Sequence, residues 1–264
     1  MEIDLTGLTA LVTGSTRGIG FTTAERLGES GASVVVNGRT QDAVDAALDA
    51  LRSAVPSGSF RGVAADVTTA SGIDALTAAE PSVDILVSNA AVFDWIPFFE
   101  ATDEVWQHHL DINLMSGVRL ARHYLPGMVE RNWGRIVLVA SEAGFNVPPD
   151  MIHYGVSKAA EIAFARGLAE TTAGTGVTVN SILPGPTASS GADDFLENYA
   201  KENDVPLEKA SHHLITSIRP TTLLQRLATT DEVANMIVYV ASRLSSATNG
   251  AALRAEGGIL RHPG

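Results

Sequence analysis

Short runs of aliphatic and β-branched residues recur between longer stretches of helical pattern: Ala10-Leu11-Val12-Thr13, Val34-Val35-Val36-Asn37, Gly62-Val63-Ala64-Ala65, Ile85-Leu86-Val87, Ile136-Val137-Leu138-Val139 and Val177-Thr178-Val179-Asn180. The runs are largely continuous rather than alternating, so strands built from them must be covered on both faces. Strands of that kind separated by helices make a parallel sheet, and the sequence therefore predicts a doubly wound α/β fold with helices on both faces. Ile19 to Ser30 reads as the first helix, stopped by Gly31, and Asp42 to Val55 as the second, ended by Pro56.

The 264 residues are 45% hydrophobic and 18% charged, enough for one large core and too apolar for disorder. No repeat or linker divides them, so a single domain over 1–264 is expected, with a polar, helix-prone segment at about 186–219 that reads as a substrate lid. A net charge of −12 opposes nucleic acids and anionic membranes as partners. The absence of cysteine removes disulfides, thiolate metal sites and cysteine nucleophiles. Neither a signal-like start nor an apolar run of about 18 residues is present, and a cytoplasmic location is the expectation.

In sheets of this class ligands bind beyond the carboxyl ends of the strands, where Gly14, Asn89, Ser141 and Pro184 all fall. Thr13-Gly14-Ser15-Thr16-Arg17-Gly18-Ile19-Gly20 joins the first strand to the first helix. Gly14 permits a tight turn, Gly18 a close backbone approach to a pyrophosphate and Gly20 close helix packing, while the helix N-terminus offers N–H groups to phosphate oxygens. The spacing is Gly-x-x-x-Gly-x-Gly, distinct from the commoner Gly-x-Gly-x-x-Gly fingerprint.

Tyr154-Gly155-Val156-Ser157-Lys158 follows Ser141. If 151–172 is a helix, Tyr154 and Lys158, four apart, share a face. A free phenol ionises near pH 10, and bringing it to an acid/base catalyst's working range takes about three units, or roughly 4 kcal/mol. One cation at about 4 Å supplies on the order of 4 kcal/mol at an effective dielectric near 20. That points to an enzyme interconverting carbonyls and alcohols.

The glycine spacing and Tyr154-x-x-x-Lys158 together make the chain resemble the short-chain dehydrogenase/reductase family along essentially its whole length, which implies a Rossmann-type fold. The resemblance identifies Asn113, Ser141, Tyr154 and Lys158 as the catalytic set. It assigns cofactor contacts to the loop residues Gly14, Ser15, Thr16, Arg17, Gly18, Ile19 and Gly20, and to Asp66 and Val67, Asn89 and Ala90, Tyr154 and Lys158, and Pro184, Gly185 and Thr187. It also implies a homotetramer with a small-molecule substrate. Ala91 stands where the family has glycine, which leaves less room at that turn.

An NAD site needs an acid near the end of the second strand, but this chain has Gly38 there, followed by Arg39. Arg39 and Arg17 are placed to clamp a 2′-phosphate, so NADP(H) is the expected cofactor. Phe93, Trp95, Phe145 and Val147 form a candidate apolar substrate pocket, and Glu142 is a candidate for a substrate hydroxyl or amine, with a salt bridge or helix cap as its other reading. The seven histidines show no metal spacing, and no catalytic metal is expected. His153 reads as packing or a subunit contact. Two rivals stand beside the carbonyl reductase. One is a 3-oxoacyl carrier-protein reductase, disfavoured by Thr175 at a position basic in well-known members and by the net charge. The other is a non-catalytic dinucleotide sensor.

Overall fold

Alternate side chains along the central strands enter two separate cores, and this is why the apolar runs are continuous. The computed structural model describes residues 2–189 and 192–262. In it Ala10 and Val12 of β1 (Thr9–Val12) pack on one side of the sheet and Leu11 on the other. Val34 and Val36 oppose Val35 in β2 (Ser33–Gly38) in the same manner. β3 (Ser59–Ala64) lies beside β2, and the alternation repeats in β4 (Ile85–Ser88) and β5 (Gly134–Val139). Each fully buried valine, leucine or isoleucine contributes about 1.5–3 kcal/mol of transfer free energy.

One core is closed by α1 (Gly18–Glu29) and α2 (Gln41–Ala54). The opposite core is closed by α3 (Ala70–Ala79), α5 (Ser116–Glu130) and α6 (Ile152–Glu170), the helix α4 (Asp103–Leu110) leading into α5. β6 (Val177–Pro184) pairs with β5. A two-residue ladder then joins β7 (Thr187–Ala188) to β8 (Ala228–Thr229), between which lie α7 (Ala192–Glu202) and α8 (Leu207–Ile218). α9 (Thr230–Ala241) returns to the first core, and β9 (Ala252–Ala255) completes the sheet. Its order is β3-β2-β1-β4-β5-β6-β9, parallel throughout, so the strand order reverses between β1 and β4.

Three features lay outside the sequence expectation. β9 has no β-branched run and is recruited by register, Ser181 to Pro184 pairing with Ala252 to Ala255. The segment expected to be helix-prone, about 186–219, carries α7 and α8, and its attachment by the β7–β8 ladder is the unexpected part; positions 190–191 lie outside the described residues. The helix containing Asn113 is interrupted by a π-helical turn, Asp111–Met115, between α4 and α5. Among the described residues no helix is long and apolar enough to cross a membrane.

Candidate active site

The loop after β1 is built from its own hydrogen bonds. Thr13 Oγ1 accepts from the backbone N–H of Asn89 (3.0 Å) and Ala90 (3.1 Å), while Asn89 Nδ2 donates to the carbonyls of Thr13 (3.0 Å) and Gly14 (3.1 Å). The carboxyl ends of β1 and β4 are thereby stitched together at the point where the sheet order reverses. Ser15 is fully buried, its hydroxyl donating to Val12 O (2.7 Å) and accepting from Asn37 N (3.0 Å), so its side chain scaffolds the loop from within. Gly14 has φ +60°, and a Cβ there would lie 2.9 Å from Ala90 Cα. At Gly20 a Cβ would meet Asn89 Nδ2 at 2.4 Å and Gly14 O at 2.5 Å.

The start of α1 differs from that of its neighbours. Thr40, Thr69 and Thr229 cap α2, α3 and α9 with side-chain oxygens, but Arg17 gives α1 no side-chain cap and the first turn carries no acid. The N–H groups of that turn remain available as donors to an anion. Gly18, with φ +60°, leaves its Cβ position clear except for Ser189 at 3.5 Å. These features fit the pyrophosphate of a dinucleotide. Gly38 closes the end of β2 to any acidic side chain, since a Cβ would sit 2.5 Å from Thr16 Cγ2. Arg17 and Arg39 are exposed, and neither has an ion-pair partner among the described residues. Asp66 turns the chain after β3 by accepting from Thr68 N (3.0 Å), with Val67 buried beneath and Ile19 packed partly into the first core. Beyond β6, Thr187 Oγ1 donates to Gly185 O (2.8 Å), and Gly185, following Pro184, lies against the Glu256 backbone.

The catalytic candidates converge on α6. Tyr154, half-buried, meets Phe93 edge-on with ring centroids 6.2 Å apart. Lys158, one turn further along, is 1% exposed; its Nζ donates to Val139 O at the end of β5 (2.8 Å) and to Glu161 Oε2 (2.9 Å). Ser141 caps the 3-10 turn Glu142–Gly144 by accepting from Ala143 N (3.1 Å). That turn packs directly on α6: a Cβ on Gly144 would lie 3.0 Å from Lys158 C, and one on Gly155 3.0 Å from Ala143 O. Asn113, 2% exposed in the π-helical turn, accepts from Val92 N (2.9 Å) and donates to Val92 O (3.0 Å) and Ser157 Oγ (2.9 Å). Ser157 in turn donates to Tyr154 O (2.7 Å). The four candidates thus meet on α6 and the segments packed against it.

The substrate side is more open. Phe93, Trp95, Phe145 and Val147 are all exposed, and Phe99 is 97% exposed. Glu142 does not present a free carboxylate: it is buried and its Oε1 accepts from Arg219 Nε (2.7 Å), Arg219 lying just past α8. Burial pushes the Glu142 carboxyl up, opposed by the Arg219 charge. Its Oε2 has no hydrogen-bond partner among the described residues. The Glu142 carboxylate thus joins Arg219, just past α8, to the turn that Ser141 caps. His153 packs edge-on against His109 of α4 at 4.3 Å, both buried, and burial together with His109 holds it below the usual histidine range.

Sequence reasoning passed over Thr13, Asn37, Ser157, Arg219 and Glu161. Glu161 carried a readable signal, lying three residues beyond Lys158 on a helix. Arg219 carried none, because its partner is 77 residues away.

Residues 8–200 match the short chain dehydrogenase family. The uncharacterised oxidoreductase YvaG of Bacillus subtilis is 40% identical over 261 residues, covering 99% of both chains. D-beta-hydroxybutyrate dehydrogenase of Cupriavidus necator is 33% identical, covering 96% of this chain and 98% of its own. L-sorbose reductase of Gluconobacter frateurii, solved with NADPH and L-sorbose, superposes with a TM-score of 0.90 at 30% identity, covering 99% of this chain and 100% of that one. With the glycine loop at the strand reversal, and the tyrosine and lysine on α6 beside the turn that Ser141 caps, these matches establish that the chain is an oxidoreductase of the short-chain dehydrogenase/reductase family.

Proposed function

We propose that the protein is an NADP(H)-dependent oxidoreductase that interconverts a carbonyl and a secondary alcohol on a small organic substrate. The observation that carries this reading is the placement of Tyr154 and Lys158 one turn apart on α6, with the Ser141 turn packed against the same stretch of helix. When bound, the nicotinamide supplies or accepts the hydride. Tyr154 gives its phenolic proton to the carbonyl oxygen in reduction and takes it back in oxidation. Ser141 orients that oxygen through its hydroxyl. The Lys158 charge favours the phenolate, and its ammonium would help to hold the nicotinamide ribose of a bound cofactor. Asn113 holds a water through which the proton lost by Tyr154 is replaced.

A preference for NADP(H) is supported by the closed position at Gly38 and by the exposed guanidinium groups of Arg17 and Arg39, which have no ion-pair partner among the described residues. The NADPH complex of L-sorbose reductase agrees with it. That protein and the hydroxybutyrate dehydrogenase act on small oxygenated molecules, and a substrate of that class suits a pocket bounded by Phe93, Trp95, Phe145 and Val147. The net charge of −12 leaves an acidic carrier protein without electrostatic steering, which weighs against the acyl-carrier reading. A homotetramer and a cytoplasmic location complete the proposal; sedimentation of a monomer alone would refute the assembly.

The test is nicotinamide absorbance with ketones, aldehydes, sugars, secondary alcohols and a 3-oxoacyl thioester under both cofactors. Tyr154→Phe is expected to lower turnover by about 10²–10⁴-fold with NADPH binding retained. Undiminished turnover in that variant would overturn the mechanism.

A further inference from the structure

Lys158 and Glu161 form an ion pair sealed inside the protein, their side chains 2% and 3% exposed and their charged atoms 2.9 Å apart. A pair of this kind is poor stabilisation, because desolvating two charges costs as much as their attraction returns, and a well-packed apolar residue in place of Glu161 would serve the core as well. The pair also lies beside the proposed proton donor. An ammonium has three N–H donors. One goes to Val139 O, one to Glu161 Oε2, and one remains for the face that Lys158 shares with Tyr154.

We propose that Glu161 is a positioning residue for the proposed reaction: its carboxylate fixes the Lys158 ammonium and partly offsets its field at Tyr154, so that the charge on Glu161 sets the pH at which the phenol gives up its proton. The inference rests on the reading of Tyr154 as acid/base catalyst. Lys158 is the charge acting on Glu161. Other titratable groups brought against α6 are engaged elsewhere: Glu142 with Arg219, and His109 in its stack on His153. β5 presents the Val139 carbonyl, and the π-helical turn presents Asn113 by way of Ser157. Burial pushes the Glu161 carboxyl up to about 7, against the pull of Lys158. It therefore changes charge in the range where such an enzyme works.

The test compares wild type with Glu161→Gln, which keeps a hydrogen-bonding side chain and removes the charge. The acidic midpoint of the pH profile for alcohol oxidation is expected to fall by about one unit, the effect of one charge at roughly 10 Å in an effective dielectric near 20. Glu161→Asp, which keeps the charge, is expected to restore the wild-type midpoint. A profile that superposes on wild type, or moves to higher pH, overturns the proposal. Should Glu161→Gln not fold, the wild-type apoprotein still decides: phenolate absorbance referenced to Tyr154→Phe is expected to titrate over a range broader than one proton allows, because two groups are coupled. A simple one-proton curve overturns it. Full turnover in Tyr154→Phe would remove the mechanism itself; loss of turnover there, with an unmoved profile in Glu161→Gln, would remove only the role of Glu161.

Discussion

The two sides of the crevice are held in opposite ways. On the cofactor side the loop after β1 is closed by short-range hydrogen bonds through Thr13, Ser15 and Asn89, with glycines admitting no added carbon at Gly14 or Gly20. On the proposed substrate side the aromatic residues are exposed, and the α7–α8 segment meets the Ser141 turn through the ion pair of Glu142 with Arg219. The same reaction centre therefore combines a prebuilt half with a half tied by a long-range contact. A shared cofactor needs a fixed shape, whereas a substrate must enter and leave.

Alanine at Gly20 should do the most damage, since its Cβ would press on the Gly14 carbonyl as well as on Asn89. A loss of about 3 kcal/mol is expected, seen as a lower Tm together with weaker NADPH binding. Arg219→Leu should cost up to about 3 kcal/mol by leaving Glu142 buried without its counter-charge. Without Arg219 the folded-state carboxyl rises further, so this cost should be smallest below the ordinary glutamate range and grow as pH rises. NADPH affinity should stay put while KM for substrate climbs; equal losses in both would show that the two halves are not separable.

α6 serves both halves, and there Glu161 makes stability itself depend on pH. Its carboxyl ionises near 4.5 when unfolded and at about 7 when folded, so between those values the native state holds the extra proton. The contribution of Glu161 to stability is then fully present below about 4.5 and is lost as pH rises through about 7, by at most about 3 kcal/mol. Thermal unfolding of Glu161→Gln should show a flatter pH dependence. Arg39→Ala should lower the ratio of NADPH to NADH affinity by roughly tenfold or more, read from binding titrations of both, as expected for one lost charge-assisted contact. The smallest effect belongs to Phe99→Ser, where stability read from denaturant unfolding should hold within about 0.5 kcal/mol of wild type because that ring is almost wholly exposed.

What could be read from the sequence was whatever is encoded locally. Six strands declared themselves through runs such as Val34-Val35-Val36, and Tyr154 and Lys158 through their spacing on one helix. β9 did not, because Ala252-Leu253-Arg254-Ala255 becomes a strand only when β6 offers it an edge. The attachment of the α7–α8 segment was hidden for the same reason: Glu142 and Arg219 meet through tertiary folding alone. Ser15 shows a different shortfall. Its place in the cofactor loop was legible, yet whether its hydroxyl faces a ligand or Val12 and Asn37 depends on how the loop settles on β2.

The π-helical turn at Asp111–Met115 has a consequence for how this chain can change. A turn of that kind accommodates one more residue than an α-helix over the same rise. Deleting a single residue there would restore an unbroken α-helix and leave α4 and α5 nearly in phase, whereas a deletion elsewhere in either helix would rotate one against the other by roughly 100°. Reshaping the turn would cost Asn113 its hold on Val92, and a deletion in α4 would swing His109 away from His153. The turn is therefore the one place along α4 and α5 where the count of residues can change by one without shifting the phase of the buried face that carries Leu120, Tyr124 and Met128.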